Sequence, residues 1–362
     1  MMKRILIGLG ALAALIVVLL GVAYIYRGPI ALKLVARIAE RNMAADLKKK
    51  LPDGLNVIVC GSGSPMTDGD RNGPCTAVVA GDRVFLVDVG ENATETLARM
   101  GLRPGDVDAV LLTHFHSDHI DGLGGLSVQR WVGGSRATPI ALYGVDGVQR
   151  IAAGFNEAYA IDAGYRTGHH GPIVAPPSGA GYAPQIFATP TPGHEVVVYD
   201  QGGLKITAFR VEHNPADPAV GYRFDYKGRS VVISGDTKAS PEVERMSKGV
   251  DLLVHEALAP KMVQMLRKAA LDAHRDNVAK IMNDILDYHT PPEQAAGIAQ
   301  RAGARSLLLT HIIPPLPLKA MEGPFLGDSR QIFKGPLWIA KDGDLISLPA
   351  GKRDIIREKS PL

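Results

Sequence analysis

Leu111-Leu112-Thr113-His114-Phe115-His116-Ser117-Asp118-His119 carries three imidazoles and one carboxylate in its last seven residues, directly after an apolar pair. Leu111-Leu112 reads as the end of a buried strand. A loop leaving such a strand cannot bury four polar side chains unless something binds them. Imidazole and carboxylate together form the N/O ligand set of zinc or a similar divalent ion. His114 and His116 stand too close in sequence to share a helical face, but they suit a tight loop that wraps an ion. A solvated histidine-rich loop is the plain alternative, and the remainder of the chain argues against it.

An ion held by this loop would need further ligands from elsewhere in the chain. Val231-Val232-Ile233 is a β-branched run that ends in Ser234-Gly235-Asp236-Thr237, which sets Asp236 at the C-terminal end of a strand. Leu307-Leu308-Leu309-Thr310-His311 repeats the pattern, an apolar strand with a polar group at its tip. Ligands on strand ends are rigidly held, as a metal site requires. Either residue alone reads as a turn aspartate or a core histidine; both following the first motif read as one site.

Two histidines compete as a further ligand: His194 in Thr191-Pro192-Gly193-His194, and His213 in Val211-Glu212-His213. The reading favours His213. It follows the alternating run Leu204 to Arg210 and precedes a strand, Val220 to Asp225, that leads directly to the Asp236 strand. His194 leads into another strand, with a full hairpin still to come before Asp236.

The opening run resembles the HxHxDH signature of the metallo-β-lactamase superfamily. Thr191 to His194 looks like the TPGH loop of many members, whereas Val211 to His213, followed by Gly221-Tyr222-Arg223, is similar to the corresponding motif of the tRNase Z branch. Leu252-Leu253-Val254-His255-Glu256-Ala257 resembles the HEAT motif of that branch. His289-Thr290, with Glu293-Gln294-Ala295-Ala296 and the His311 strand behind it, resembles its HST motif. The resemblance spans residues 55 to 350. It implies an α/β fold, the αββα four-layer sandwich, and a dinuclear metal-dependent hydrolase with zinc as the first candidate ion. His114, His116 and His213 would hold one ion, Asp118, His119 and His311 the other, and Asp236 would bridge. Asp118 would orient the hydroxide formed between the metals, and His289, paired with Glu256, would protonate the leaving group. Read without the resemblance, Glu256 caps a following helix and His289 sits at a helix end, favoured by the dipole.

The coarse pattern agrees: strand pairs first, then strands alternating with helices, twice over, as in two packed sheets with the site at one edge. No organic cofactor is called for. The Gly61-Ser62-Gly63-Ser64 loop lacks the Lys-Ser/Thr and the helix of a phosphate cradle and reads as the first turn of the fold. The 40 basic and 37 acidic residues argue against a strongly electrostatic nucleic-acid partner. Gly171 to Pro192, rich in Pro, Gly and Ala, is expected to be irregular.

Ile5 to Tyr26 is a run of 22 uncharged residues after Lys3-Arg4, long enough to cross a bilayer of ~30 Å and long for a signal h-region of ~7–15 residues. Residues 1–26 therefore read as a signal-anchor, with a cleavable signal peptide as the other reading because Gly21-Val22-Ala23 permits cleavage. Lys3 and Arg4 favour a cytoplasmic N-terminus and export of the rest to the periplasm, although Arg27, Lys33, Arg37 and Arg41 crowd the other flank. Residues 27–54 read as a basic amphipathic segment, lying either on the membrane or on the domain. The hydrolase domain takes 55–350 and a tail 351–362. Cys60 and Cys75 flank the first loop and would pair in an oxidising compartment, or remain buried thiols.

tRNA-specific members of the branch carry a long arm between the third histidine and the bridging aspartate; His213 and Asp236 leave room for two strands and a turn. tRNA is therefore not the expected substrate, and a small-molecule or single-stranded phosphodiester is. Extra length lies elsewhere, around Phe155, Tyr159, Tyr165, His169 and His170, and in a helical stretch with Val278, Ile281, Met282 and Ile285 on one face. Each reads as an apolar wall over the metals or as an ordinary core-facing stripe. The competing activity is that of an exported β-lactamase or lactonase, in which metal stabilises the leaving group and a dedicated acid matters less.

Overall fold

The computed structural model describes residues 2–358. The last four residues of the expected tail lie outside that description, as do the side chains of Lys3 and Arg4, on which the orientation reading rests. The chain divides into two compact units, Met1–Asp46 and Leu47–Leu362.

The first unit is one helix, α1 (Met2–Ala44). From Gly8 to Ala44 it is long and apolar enough to cross a membrane, its most apolar 18 residues having a mean hydropathy of 2.5 and none of them being buried. The expected change of character at Arg27 brings no break, since the helix runs through Pro29. A proline there removes one backbone hydrogen bond, and the turns on either side carry the helix across. The stretch 27–54 divides between the end of α1, a single 3-10 turn at Lys48–Lys50 and the start of the first strand.

In the second unit the chain builds β1 (Gly54–Gly61), β2 (Cys75–Ala80), β3 (Arg83–Val87), β4 (Ala109–Leu111), β5 (Ile140–Gly144) and β6 (Tyr182–Ile186), then β7 (Val196–Gln201), β8 (Leu204–Val211), β9 (Ala219–Tyr226), β10 (Arg229–Ile233), β11 (Leu252–Leu258), β12 (Leu307–Ile313) and β13 (Leu337–Ile339), and closes with β14 (Leu345–Pro349) and β15 (Ile356–Glu358). The first sheet runs β15-β14-β1-β2-β3-β4-β5-β6 and the second β13-β12-β11-β10-β9-β8-β7. Alternation along the strands makes the layers. Leu55, Val57 and Val59 of β1 meet Leu204 and Ile206 of β8 and Val254 of β11 between the sheets. The opposite face of β1, Ile58 and Cys60, packs with Leu97 of α2 (Ala93–Met100), and past the short α3 (Ser117–Ile120) the same layer takes Leu126 of α4 (Leu123–Gly133) and Ala152 of α5 (Val148–Val174). The outer face of the second sheet, with Val232 and Leu253, is covered by Val243 of α6 (Pro241–Met246), and after α7 (Pro260–Asp272) and α8 (Asp276–Asp284) by Ala295 and Ala299 of α9 (Pro292–Ala302). Two mixed sheets between helical layers form the αββα sandwich.

Two stretches depart from the sequence reading. Gly171 to Pro192 is not wholly irregular: α5 continues to Val174, with non-helical angles at Gly171, and β6 pairs in parallel with β5. Pro184 is tolerated because β6 is the last strand of its sheet, where one side needs no ladder bonds. Residues 351–362 are not simply a tail, since β15 pairs with β14. Between His213 and Asp236 lie only β9, a turn and β10. Cys60 and Cys75 are joined by a disulfide.

Candidate metal centre

Parallel pairing of β3 with β4 and of β10 with β11 and β12 brings the C-terminal ends of these strands to one edge of the sandwich. His114, His116, Asp118 and His119 follow β4, His213 follows β8, and Asp236 follows β10. His311 lies within β12, at a register shift opposite Glu256 and Ala257. It has a φ of 47°. Such a bulge re-aims a side chain next to a site. Gly235 is required: its φ is +61°, and a Cβ there would meet Thr113 Cβ and Val220 O at 2.9 Å.

The seven residues gather as two trios. Donor atoms of His114, His116 and His213 lie within 4.8 Å of one another, and so do those of Asp118, His119 and His311. Asp236 reaches both, its Oδ2 standing 3.3 Å from His119 Nε2, 3.2 Å from His311 Nε2 and 3.8 Å from His213 Nε2. His116 is exposed to the adjoining cavity and the other six are buried. His194 lies apart from them, exposed in a turn bridged by Thr191 and itself.

Hydrogen bonds behind the cluster fix which nitrogens face it. Thr113 donates through its backbone N–H to Asp88 Oδ1 and through Oγ1 to Asp88 Oδ2, both at 2.8 Å. Its hydroxyl proton is thereby used, so at 3.0 Å it accepts from His114 Nδ1–H. His213 Nδ1 donates to Tyr288 O at 3.0 Å. His114 and His213 therefore present bare Nε2 atoms to the site. His119 Nδ1 lies 2.8 Å from Asp88 Oδ2, a carboxylate–imidazole pair of the kind that orients metal-binding histidines. Asp88, just beyond β3, is the functional residue that the sequence reading missed. The signal was present: Val84 to Val87 is an apolar run with a carboxylate at its tip, as at Asp236.

Charge divides the trios. Burial pushes His114, His116 and His213 below the ordinary imidazole range, helped at His114 by neighbouring His119. Burial also disfavours charge on His119 and His311, but Asp236 overrides it, with Asp88 and Asp118 at His119 and with Asp118 at His311, and both are raised. Burial would raise Asp236 and Asp118, yet the facing imidazoles win: His311 and His119 hold Asp236 well below the usual carboxylate range, and His119 and His311 lower Asp118. His119 Nε2 is buried without a hydrogen bond among the described residues, while two carboxylates face it at 3.5 and 3.3 Å. A divalent ion meets that need, since it binds imidazole nitrogen and carboxylate oxygen at about 2 Å. The donor set fits.

Glu256 and His289 sit beside the cluster, both buried. Glu256 Oε1 accepts from the backbone N–H of Thr290 at 2.8 Å and of Thr237 at 3.3 Å. It thus ties the Asp236 loop to the His289 loop and caps no helix. His289 Nδ1 stands 3.3 Å from the same oxygen but is not aligned for a hydrogen bond. His289 and Tyr288 line the cavity over the cluster together with Ile281, Met282 and Ile285. Phe155, Tyr159, Tyr165, His169 and His170 are not among its lining residues. They lie on α5, which packs beside β5, β6 and α4, so that stretch is no wall over the site.

The family model described as the metallo-beta-lactamase superfamily matches residues 68–283. Ribonuclease Z of Mycobacterium avium (strain 104) is 35% identical over 265 residues, 72% of this chain and 87% of that protein. The metallo-beta-lactamase fold protein YhfI from Bacillus subtilis superposes with a TM-score of 0.57 at 22% identity, covering 81% of this chain and 99% of that one. Human tRNase Z, short form, superposes with a TM-score of 0.55 at 21% identity, covering 81% and 99%. Fold and relatives define a metal-dependent hydrolase. The chain belongs to the metallo-β-lactamase superfamily, in its tRNase Z-like branch.

Proposed function

We propose that this chain is a phosphodiesterase working with two divalent ions, zinc by donor type, held by His114, His116 and His213 on one side and by Asp118, His119 and His311 on the other. The observation that carries this reading is the position of Asp236, whose Oδ2 lies within 3.8 Å of an Nε2 from each trio. When bound, two such ions supply an activated water and neutralise charge on phosphoryl oxygens. Asp118 accepts a hydrogen bond from the attacking water and orients it. His289, with Nδ1 toward Glu256, offers Nε2 to the leaving oxygen. Glu256 braces the loop that carries His289.

Relatives named as ribonucleases support a phosphodiester as the bond cleaved. The absence of an arm between β9 and β10 supports a small-molecule or single-stranded substrate rather than tRNA. The apolar α1 and the Cys60–Cys75 disulfide support anchoring with the hydrolase unit in an oxidising compartment such as the periplasm.

A positioned acid contributes about 10²–10⁴-fold, most for a basic leaving group. His289→Ala should therefore slow a diester with an alkoxide leaving group by that factor and one releasing p-nitrophenolate far less. Bound metal should stay unchanged. Equal losses on both esters would remove His289 as the acid. Ready opening of nitrocefin or a lactone by a wild type that leaves all diesters intact would replace the phosphodiesterase reading altogether.

A further inference from the structure

We propose that the site takes a phosphodiester carrying an apolar substituent beside the scissile bond, and that Ile281 is the residue that sets this preference. The inference rests on the phosphodiesterase reading above. Over the candidate centre lies a cavity of about 340 Å³. His116, Asp118, Asp236 and His311 form one side of its lining, and the rest is largely apolar: Met66, Ile281, Met282, Ile285 and Ile313.

This wall is fixed. Met282, Ile285 and Ile313 belong to a small buried cluster with Leu258 and Val263, against which Met66 and Tyr288 also pack. Val278, Met282 and Ile285 recur at helical spacing and account for the stripe as core. Ile281 is the remainder: it is 52% exposed yet lines the cavity. An exposed isoleucine by itself means little. This one extends an apolar wall that faces the ligand side chains, and on the same helix Lys280 and Asp284 pair with each other at 2.7 Å.

The charges around the cavity point the same way. Among the described residues lining it there is no lysine or arginine. A second cavity shares Ser64, Met66, Ser117 and Asp118 with it and is lined by Asp68, Glu91 and Asp121. The one cation there, Arg71, is buried at 3.6 Å from Asp68. Further phosphates of a polyanion would meet carboxylates instead of the basic side chains that such a backbone needs. An apolar group laid on Ile281 gains from leaving water. Aromatic rings and alkyl chains share that chemistry.

Calorimetric binding of methyl-, butyl- and phenylphosphonate to the zinc-loaded full-length chain, kept soluble in an amphipathic polymer, separates these cases without turnover. Butyl- or phenylphosphonate should bind about tenfold or more tightly than methylphosphonate. Ile281→Ser should reduce that ratio to below about threefold, while Met265→Ser, on the exposed face of α7, should leave it unchanged. The stronger of the two larger probes identifies a ring or a chain as the source, and either supports the proposal. Equal binding of all three, or a ratio that survives Ile281→Ser, overturns it. A ratio that depends on Ile281 in a protein that cleaves no diester supports the wall and removes the phosphodiesterase reading alone.

Discussion

The two trios use nearly the same side chains, and their imidazoles are shifted in opposite directions. His114, His116 and His213 contain no carboxylate, and burial lowers their proton affinity. Asp118, His119 and His311 include a carboxylate, have Asp88 directly behind one ring, and their imidazoles are raised above the ordinary range against the same burial. The contrast teaches that ligand type does not fix readiness to bind. A neutral ring offers its lone pair at once, whereas a protonated one must release its proton to the incoming ion. On the two-ion reading, protons would compete less with an ion at the first trio than at the second.

The largest test of this comparison removes a member of the ready trio. His213→Ala should lower turnover by about 10²-fold or more, the scale expected when an ion that activates water is lost. His194→Ala should cost less than a factor of about ten, below ~1.4 kcal/mol. Kinetics with metal analysis on both variants checks the ranking, and the reverse order would move the third imidazole to the exposed turn.

A smaller effect sharpens the other side. Asp88→Ala removes the acceptor that orients His119 and also frees Thr113, which holds His114. Changes at such orienting residues typically cost about 10–100-fold in metal affinity. Competition with a chromophoric chelator should locate the loss in the more weakly bound ion. A variant that binds both ions as the wild type does would make Asp88 a mere brace for the β4 loop.

Legibility in the sequence followed the physics of strand ends. His114 to His119, Asp236 and His311 stood out because each ends or interrupts an apolar run, and desolvation makes a polar side chain there conspicuous. Asp88 has the same signature, but Val87-Asp88-Val89-Gly90 also suits a plain turn after a short strand. The hydrogen bonds that make it matter, to residues 25 and 31 positions away, have no local trace. β6 and β15 were hidden for another reason: edge strands tolerate proline and need only short alternation, so composition argues against them while pairing creates them. The cavity wall was half legible. Its helical spacing was plain, but which of the four apolar positions meets core and which meets the cavity is decided by the packing of α8 against Leu258 and Val263.

The central claim is that one carboxylate, Asp236, joins two ion sites of unequal proton affinity. Metal content of the wild type and of Asp236→Ala, measured on protein equilibrated with zinc between about pH 5 and 8, tests it most directly. His119 and His311 have raised values, so protons compete at their site as pH falls; His114, His116 and His213 have lowered values and resist that competition. The wild type should hold close to two equivalents at the upper end and lose the ion of the Asp118–His119–His311 trio first on acidification, while Asp236→Ala should fall below two even at the upper end. A single equivalent at every pH in the wild type, or a count that Asp236→Ala leaves unchanged, would contradict the account.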